Sequence, residues 1–401
     1  MGAAAMLLLL VMRLRTASVA PSGDDGGDAA TLDNDAGKDD GAIATRCVIT
    51  AGSLPLDSAG RPVHAHGAGI YSEGDALYLL GTSQKQAVPA DSRDPLSPTV
   101  YLSDSINLYK TTRDPDAGLC HWEFLGAVFA RSTVEAAMHP ALPRGMTARV
   151  ERPKLVKTVS GQYVIWAHVQ ASNNASYSNI AVMQAPSVTG PYRWSSNFFA
   201  NGLISKDSTL WTDPATDMSY FVRDTAHLCD SVSELTADGL GVKQMCSHTG
   251  PASAPGYYTS MCRGPYKGPG NGTASHPPWV CEGVSVFRDP VDSRLFLLGS
   301  HLSNWAANSA MLFVSSEKDL CAQHQNATPW TLLGNPAIGP GGTDTYASQS
   351  TFVLPWNASM AVVMMDRWHA PNETLADYVW LPLRRSAGGD WTMQWENHWA
   401  L

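Results

Sequence analysis

The feature of this 401-residue sequence that most constrains its fold is a unit that occurs five times after residue 60. Each unit begins with a polar or charged residue, continues into a strand, passes a turn rich in Gly, Asp, Asn or Ser, and enters a second apolar strand. Successive units are 85, 56, 75 and 67 residues apart, which suits four-stranded antiparallel sheets with loops of variable length. The units begin at His66, Glu151, Asp207, Glu282 and Gln349.

Five such sheets predict an all-β protein, a five-bladed β-propeller over residues 46–401. The innermost strand of every blade in a propeller lines a central axis, so the first residues of the five units would surround one cavity. The sequence therefore predicts that side chains far apart in the chain meet in one pocket. The alternative is five unrelated hairpins whose polar first residues are merely solvated, as polar residues beside strands usually are.

The first 45 residues differ in composition from the rest. An apolar run from Ala3 to Met12, followed by small residues at Ser18 to Ala20, predicts a signal peptide over residues 1–20. Because Arg13 and Arg15 follow the apolar run instead of preceding it, a misassigned start or an organelle presequence stays open as the alternative. Residues 21–45 contain seven aspartates and one lysine, which predicts a disordered acidic linker that carries most of the net charge of −9.

Two features predict a secreted protein that enters the secretory pathway. Five acceptor triplets for N-glycosylation occur, beginning at Asn174, Asn271, Asn326, Asn357 and Asn372. Seven cysteines occur without the C-x-x-C spacing of metal sites, which predicts disulfides with one cysteine left over. The apolar run is too short to span a bilayer, and no basic patch or arginine-rich helix indicates a nucleic-acid partner. We expect a monomer.

Three carboxylates in the predicted pocket, those of Glu151, Asp207 and Glu282, suit the hydrolysis of a glycosidic bond. This reaction needs a proton for the leaving oxygen and a second group that assists the attack of water. Crowded carboxylates raise the pKa of one member, which keeps it protonated near neutral pH. Trp305 and Trp368 are candidates for sugar stacking, although a Trp at a strand end more often belongs to the core.

A metal centre has weaker support in the sequence. His64 and His66 lie on one face of a strand, but two histidines without a nearby acid fall short of a zinc site. We expect substrate contact or packing at the axis for His66. The sequence predicts no metal and no cofactor, with a structural calcium ion as the one ion left open.

Several segments resemble glycoside hydrolase family 43, and within it the exo-β-1,3-galactanase (galactan 1,3-β-galactosidase) subfamily. They run in order from His64 to Leu383, and the segment at Glu282 matches least well. The resemblance implies a five-bladed propeller, an inverting mechanism and removal of galactose from the non-reducing end of β-1,3-galactan. The matching segments are HAHGAGIY from His64, ERPKLV from Glu151, SKDSTLW from Ser205, CEGVSVF from Cys281, ASQSTFVLP from Ala347, and DRW from Asp366 with YVWLPL from Tyr378.

The resemblance also implies roles for the four catalytic candidates. Glu282 resembles the general acid, and Asp207 the neighbour that tunes and orients it. Glu151 is similar to the carboxylate that binds sugar hydroxyls. Most members of family 43 have an aspartate in the first blade that acts as the base. In the subfamily the base role has been assigned to a glutamine, which matches Gln349. The predicted substrate-binding residues are His66, Tyr177, Ser303, Trp305 and Trp368.

One departure from the subfamily keeps alternative functions open. The subfamily commonly has a Gly-Glu pair at the end of the second strand of blade one, where this chain has Gly81 and Thr82. Loss of that carboxylate is compatible with another family 43 specificity, such as β-xylosidase or α-L-arabinofuranosidase. A propeller that binds glycans without cleaving them is the third hypothesis. In each case the expected partner is an oligo- or polysaccharide.

Overall fold

The computed structural model describes residues 47–88, 100–116, 118–138, 148–171, 174–225, 229–248, 281–303, 306–315, 318–321, 330–369 and 375–401. These residues form a five-bladed β-propeller, which confirms the predicted fold class. The predicted signal peptide (1–20) and acidic linker (21–45) lie outside the described residues. In the described part of the chain, no helix combines the length and the apolar character needed to cross a membrane.

The first two blades are four-stranded antiparallel sheets in sequence order. A short strand precedes them, β1 (Val48–Thr50). Blade one contains β2 (His66–Glu73), β3 (Ala76–Val88), β4 (Val100–Thr112) and β5 (Glu123–Ala130), with the 3-10 helix η1 (Gly118–Cys120) before β5 and the helix α1 (Arg131–Met138) after it. Blade two contains β6 (Ala148–Lys157), β7 (Tyr163–Ala171), β8 (Asn174–Ala185) and β9 (Arg193–Phe198), followed by the 3-10 helix η2 (Ala200–Gly202).

The remaining blades repeat this order, and the last one gains an extra strand. Blade three contains β10 (Lys206–Thr212), β11 (Ser219–Thr225), β12 (Cys229–Leu235) and β13 (Val242–His248). Blade four contains β14 (Glu282–Arg288), β15 (Leu295–Ser300), β16 (Ala310–Ser315) and β17 (Trp330–Gly334). Blade five contains β18 (Ala337–Ile338), the 3-10 helix η3 (Gly342–Ala347), β19 (Gln349–Asn357), β20 (Met360–Arg367), β21 (Asp377–Arg385) and β22 (Trp391–Gln394), with β18 parallel to β22. The last strand is β23 (His398–Ala400).

The five innermost strands form a closed ring. Strands β2, β6, β10, β14 and β19 each contact the innermost strands of both neighbouring blades, and β19 returns to β2. Five hydrophobic clusters fill the five junctions between blades. Because each blade is covered on both faces, the second strands are buried along nearly their whole length, as in β15 with six buried residues. This explains why their sequences are continuous apolar runs instead of alternating patterns.

The ring is fastened where the two ends of the described chain meet. Strand β1 pairs with β23 in antiparallel register, with Ile49 opposite Trp399. A disulfide joins Cys47 to Cys120 next to this pair, and both cysteines belong to or pack on the cluster between blades one and five. The disulfide and the β1–β23 pair together link the segment before β5 in blade one to the strand that follows blade five.

The cysteines agree with the disulfide prediction as far as they are described. Cys47–Cys120 and Cys246–Cys321 are disulfides, and Cys281 is a buried free thiol. Cys262 lies outside the described residues, as does the side chain of Cys229.

Candidate active site

The mouth end of every blade begins with a cross-strand pair at the start of the innermost strand. The first residues of β2, β10, β14 and β19, and the fourth residue of β6, lie directly opposite residues near the ends of the second strands. Residues directly opposite in an antiparallel pair project to the same face of the sheet. The five pairs are His66 with Thr82, Glu151 with His168, Lys206 with Asp224, Glu282 with Ser300, and Gln349 with Asp366.

A β-bulge directly follows this pair in blades one to four, where two residues of the innermost strand oppose one of its neighbour. In blade five the register shift comes one residue later, after Ser350. In four blades the first bulge residue has positive φ: Gly67 (62°), Arg152 (50°), Asp207 (38°) and Gly283 (66°). Such a conformation is uncommon for residues other than glycine and is found preferentially at functional sites. The bulges break the side-chain alternation of the strand, so residues that follow one another both contribute to the pocket.

The bulge corrects one detail of the sequence alignment. The repeat predicts that Asp207 occupies the same position in its blade as Glu151 and Glu282 occupy in theirs. In the structure Lys206 holds that position, opposite Asp224, and Asp207 lies one residue further on, at the bulge position of Arg152. Asp207 nevertheless faces its neighbours in the site, because the bulge turns it towards blade two.

Arg152 joins three blades at the centre of the site. Its guanidinium donates from Nε to Asp207 Oδ1 (2.9 Å), from Nη1 to the Ser350 carbonyl (2.9 Å) and from Nη2 to Gln349 Oε1 (2.5 Å). The side chain is only 5% exposed. Burial alone would lower the pKa of Arg152, but the carboxyl groups around it, above all that of Asp207, raise it. The motif that begins at Glu151 includes this arginine, but the local sequence pattern does not indicate its role.

The predicted acid, Glu282, is in direct contact with the predicted glutamine. Gln349 Nε2 donates to Glu282 Oε1 (3.2 Å) and to Ser300 Oγ (3.0 Å). Burial, followed by the charges of Asp207 and Asp224, raises the pKa of Glu282 well above its usual range. A carboxyl group whose pKa is raised in this way keeps its proton to a higher pH than an exposed glutamate does, and a general acid must carry a proton.

Asp207 has the opposite electrostatic character. Burial acts to raise its pKa, but the charges of Arg152 and His168, together with the hydrogen bond from Arg152, outweigh this effect, and the pKa lies below its ordinary value. Asp207 is therefore a stable anion that contributes to the raised pKa of Glu282. Two carboxyl groups whose pKa values are pushed in opposite directions are typical of acid–base sites.

Glu151 is held by a second set of contacts. Arg149 Nη2 donates to Glu151 Oε1 (2.7 Å), His168 Nδ1 lies 3.2 Å from Glu151 Oε2, and His168 Nε2 lies 2.5 Å from Ser178 Oγ. Potential ligand atoms of Glu151, His168 and Asp207 lie within 4.8 Å of one another. Each of the two carboxylates already accepts a guanidinium hydrogen bond, so much of the charge that would attract a cation is compensated.

His66 lies at the axis, where its imidazole is 3% exposed. It packs on the rings of Tyr378 and Trp368, with centroids 5.0 and 6.1 Å away, and its Nδ1 lies 3.9 Å from Asp366 Oδ1. Burial, with a smaller contribution from His64, lowers the pKa of His66 to about 3, so the ring is neutral. These contacts fit the axis-packing interpretation of His66 better than substrate contact.

The other predicted substrate contacts fall into three groups. Trp368 belongs to the site, because its Nε1 points to Gln349 Oε1 at 3.4 Å. Ser303 lies in the loop after β15 and bonds within that loop, to Ala306 and Asn308. Trp305 and the side chain of Tyr177 lie outside the described residues.

Thr82 occupies the position where the related subfamily commonly has a carboxylate. It lies opposite His66, is 2% exposed, and donates from Oγ1 to the His66 carbonyl at 3.2 Å. The equivalent positions in blades two to five are His168, Asp224, Ser300 and Asp366. Blade one thus contributes no charged side chain at these second-strand positions of the site.

Comparisons with known proteins identify the fold. No protein-family model matches the chain, and no curated protein sequence matches it. Solved structures do match: an exo-β-1,3-galactanase from Phanerochaete chrysosporium crystallised with β-1,3-galactotriose (TM-score 0.64, 23% identity, 88% of this chain and 68% of that one); a family 43 β-1,3-galactosidase (0.65, 20%, 89% and 64%); and an exo-β-1,3-galactanase from Clostridium thermocellum (0.64, 21%, 88% and 66%). The chain spans about two thirds of the length of each.

The similarity to these proteins lies in the three-dimensional structure, because sequence identities of 20–23% are low. They agree with the resemblance inferred from the segments between His64 and Leu383. The chain therefore has the five-bladed propeller fold of the glycoside hydrolase family 43 exo-β-1,3-galactanases.

Proposed function

We propose that this protein is a glycoside hydrolase that removes galactose from the non-reducing end of β-1,3-linked galactan, as found in arabinogalactan-type side chains. The observation that carries the proposal is the hydrogen-bonded chain from Asp207 through Arg152 and Gln349 to Glu282. It connects a carboxyl group of raised pKa to a stable anion. This combination suits protonation of a leaving oxygen beside a developing positive charge.

The roles follow from the environment of each group. Glu282 gives its proton to the glycosidic oxygen, and Asp207 stabilises the protonated state of Glu282 and the positive charge that develops on the sugar. Glu151, oriented by Arg149 and His168, binds sugar hydroxyls. Trp368 offers a ring face to a bound sugar. The resemblance assigns the base of an inverting mechanism to Gln349.

The first test is the release of galactose from β-1,3-galactan by the purified protein, with the anomer of the first product measured by NMR. Glu282→Gln should lower turnover by about 10²- to 10⁴-fold, the usual contribution of general acid catalysis, and should leave galactose binding by calorimetry largely intact. Absence of galactose release in an assay where a known β-1,3-galactanase is active would refute the proposal. Unchanged turnover of Glu282→Gln would refute the assignment of the acid.

A different sugar specificity is the second candidate, and Thr82 is the observation that favours it. A buried threonine in place of a carboxylate removes one charged hydrogen-bond acceptor from the first blade. A panel of nitrophenyl glycosides separates the candidates: preference for β-xyloside or α-L-arabinofuranoside over β-galactoside would select the second. Binding of these sugars without hydrolysis would indicate a glycan-binding propeller.

We further propose that the protein is secreted and acts as a monomer on an extracellular polysaccharide. Two disulfides support an oxidising compartment. The acceptor triplet at Asn357 begins at the exposed last residue of β19 and continues into the exposed turn before β20. Retention of the full-length chain in the cytosol of its own cells would contradict secretion. A dimer in light scattering would contradict the monomeric state.

A further inference from the structure

The residue that precedes the proposed acid is held by a carboxylate of the neighbouring blade. Asp230, in β12 of blade three, accepts with Oδ2 from the backbone nitrogen of Cys281 (3.0 Å) and from the thiol of the same residue (2.9 Å). Cys281 stands directly before Glu282, the first residue of β14. Asp230 and Cys281 are both 0% exposed, so water does not compete for these contacts. The innermost strand of blade four is thus attached to blade three at residue 281.

The thiol of Cys281 is a hydrogen-bond donor in this arrangement. Burial, followed by the charge of Asp230, raises the pKa of the Cys281 thiol well above its usual range, so the sulfur keeps its proton. A Cβ atom at Gly299 would lie 2.8 Å from Cys281 Cβ, which shows that this side chain lies directly on the backbone of β15. Packing on one side and two hydrogen bonds on the other leave residue 281 little freedom to shift.

Asp230 belongs to a row of charged residues that crosses blade three. Lys206 lies opposite Asp224 of the next strand, and Asp224 lies opposite Asp230. Directly opposite residues project to the same face of a sheet, and the contact with Cys281 shows that this face is turned towards blade four. The charge of Asp224 raises the pKa of Glu282, and that of Lys206 lowers it. Asp230 is the member of the row that binds the backbone beside the acid.

The backbone around Glu282 is held at three consecutive residues. Before it, the N–H of residue 281 binds Asp230. At the acid itself, Ser300 Oγ donates to the Glu282 carbonyl (3.3 Å). After it, Ser350 Oγ donates to the Gly283 carbonyl (2.5 Å). The three partners come from blades three, four and five, so the position of the acid depends on all three blades.

We propose that Asp230 is a positioning residue for the general acid Glu282 and that it acts through the backbone of Cys281. The inference deepens the proposed function and rests on it. In the reaction Glu282 gives its proton to the glycosidic oxygen, and the bond from that oxygen to the sugar breaks with its electron pair remaining on the oxygen. Water forms the new bond to the sugar and loses a proton to the base, the role that the resemblance assigns to Gln349. A shift of the backbone at residue 281 moves the acid away from the glycosidic oxygen, whereas the groups that bind the sugar stay in place.

A change of leaving group tests this role. β-1,3-Galactobiose needs a proton on its leaving oxygen, whereas β-galactosyl fluoride needs none. Asp230→Ala removes the acceptor, and we expect its kcat on galactobiose to fall by about 10- to 100-fold, since a displacement of about 1 Å can cost about 100-fold in rate. Its kcat on the fluoride should fall much less, and galactose binding by calorimetry should stay near that of the wild type. Asp230→Asn keeps an acceptor oxygen for the backbone N–H and should restore most of the kcat on galactobiose.

Asp213 supplies a matched control in the same blade. It is a buried aspartate of blade three that binds the far end of the same strand: Arg288, the last residue of β14, donates from Nε to Asp213 Oδ1 (2.8 Å). Asp213→Ala therefore weakens the same junction between blades at a distance from the acid. It should lower the midpoint of urea unfolding, as Asp230→Ala does, but it should change kcat on the two substrates by the same factor. All rates are measured where each variant is folded.

Several outcomes would overturn the proposal. These are an equal loss of kcat on both substrates in Asp230→Ala, no recovery in Asp230→Asn, and the same dependence on the leaving group in Asp213→Ala. If Asp230→Ala does not fold, Cys281→Ala replaces it, because this variant removes the thiol hydrogen bond alone. Cys281→Ala should show a smaller loss with the same dependence on the leaving group, and wild-type rates on both substrates would count against the proposal.

A readout without turnover separates this inference from the proposed function. If the wild type hydrolyses neither substrate, the proposed function fails, and crystal structures decide the role of Asp230. In the wild type and in Asp230→Asn, Glu282 Oε1 should lie within hydrogen-bond distance of Gln349 Nε2, where it is now 3.2 Å away. In Asp230→Ala, or in Cys281→Ala where that variant replaces it, the carboxyl group should be displaced. An unmoved Glu282 would refute the positioning role.

Discussion

Gly283 provides a test of the geometry that removes no functional group. This glycine follows Glu282 and has φ of +66°. A Cβ atom there would lie 2.8 Å from the Ser350 carbonyl oxygen and 2.9 Å from Gln349 Cγ. Both distances are shorter than carbon atoms in folded proteins tolerate, so Gly283→Ala must push blade five away from blade four at the position of Gln349.

The magnitude follows from two costs. A left-handed conformation costs a residue with a Cβ atom about 1–2 kcal/mol, and overpacking adds about 1–3 kcal/mol. We therefore expect Gly283→Ala to lower the free energy of unfolding by about 2–5 kcal/mol. Displacement of a site by about 1 Å can cost about 100-fold in rate, and we expect a loss of that order in kcat/KM on β-1,3-galactan oligosaccharides.

The control uses a glycine with the same backbone conformation and no neighbours. Gly74 has φ of +58° in the turn between β2 and β3, and a Cβ atom there would meet nothing within 4 Å. Gly74→Ala should lose only the conformational cost of about 1–2 kcal/mol and should keep the activity of the wild type. Urea unfolding and initial rates, measured where both variants are folded, give the comparison. Wild-type kcat/KM in Gly283→Ala would refute the argument that contact between blades four and five sets the position of Gln349.

Two further predictions concern stability. Burial raises the pKa of Asp366 to about 7, so this group stabilises the folded state most below about pH 4, and the contribution is lost as the pH rises through 7. The free energy of unfolding of the wild type, relative to that of Asp366→Asn, should therefore fall between pH 4 and 7, by at most about 4 kcal/mol. A difference in urea unfolding that does not change with pH would contradict this. Replacement of Cys47 and Cys120 by serine should lower the free energy of unfolding by about 4 kcal/mol, because the disulfide closes a separation of 73 residues. An unchanged calorimetric transition would show that the disulfide adds no stability to the pairing of β1 with β23.

The fold and the main site residues could be predicted from the sequence because each blade carries its own local pattern. A polar residue, an apolar strand, a turn and a second apolar strand define an antiparallel hairpin, and five hairpins at similar spacing define a ring. Closure of the ring then brings Glu151, Asp207, Glu282 and Gln349 to one rim without any further information. What each of these residues does there depends on contacts between blades, which the local pattern does not contain.

Two parts of the site could not be predicted in this way. The offset of Asp207 relative to Glu151 comes from a β-bulge, and the choice of which residue enters a bulge depends on pairing with the next strand. The role of Arg152 comes from contacts to blades three and five, which lie 55 and 197 or more residues further along the chain. One signal was nevertheless present: the second strand of every unit has a polar residue near its mouth end. These residues are Thr82, His168, Asp224, Ser300 and Asp366.

The geometry of the site depends on four bulge positions with positive φ as well as on its carboxyl groups. These positions are Gly67, Arg152, Asp207 and Gly283. Two of them carry charged side chains, Arg152 and Asp207, which bond to each other across the junction of blades two and three. The other two are glycines, and each makes room for a neighbouring blade: a Cβ atom at Gly67 would lie 2.8 Å from the backbone nitrogen of Arg152, as one at Gly283 would press on Gln349. The same backbone conformation thus supplies the charges in two blades and the space for them in two others. A chain that kept Glu282 and Asp207 but replaced either glycine would retain the reactive groups and lose their arrangement, so these two glycines belong with the acids among the residues by which such a site should be recognised.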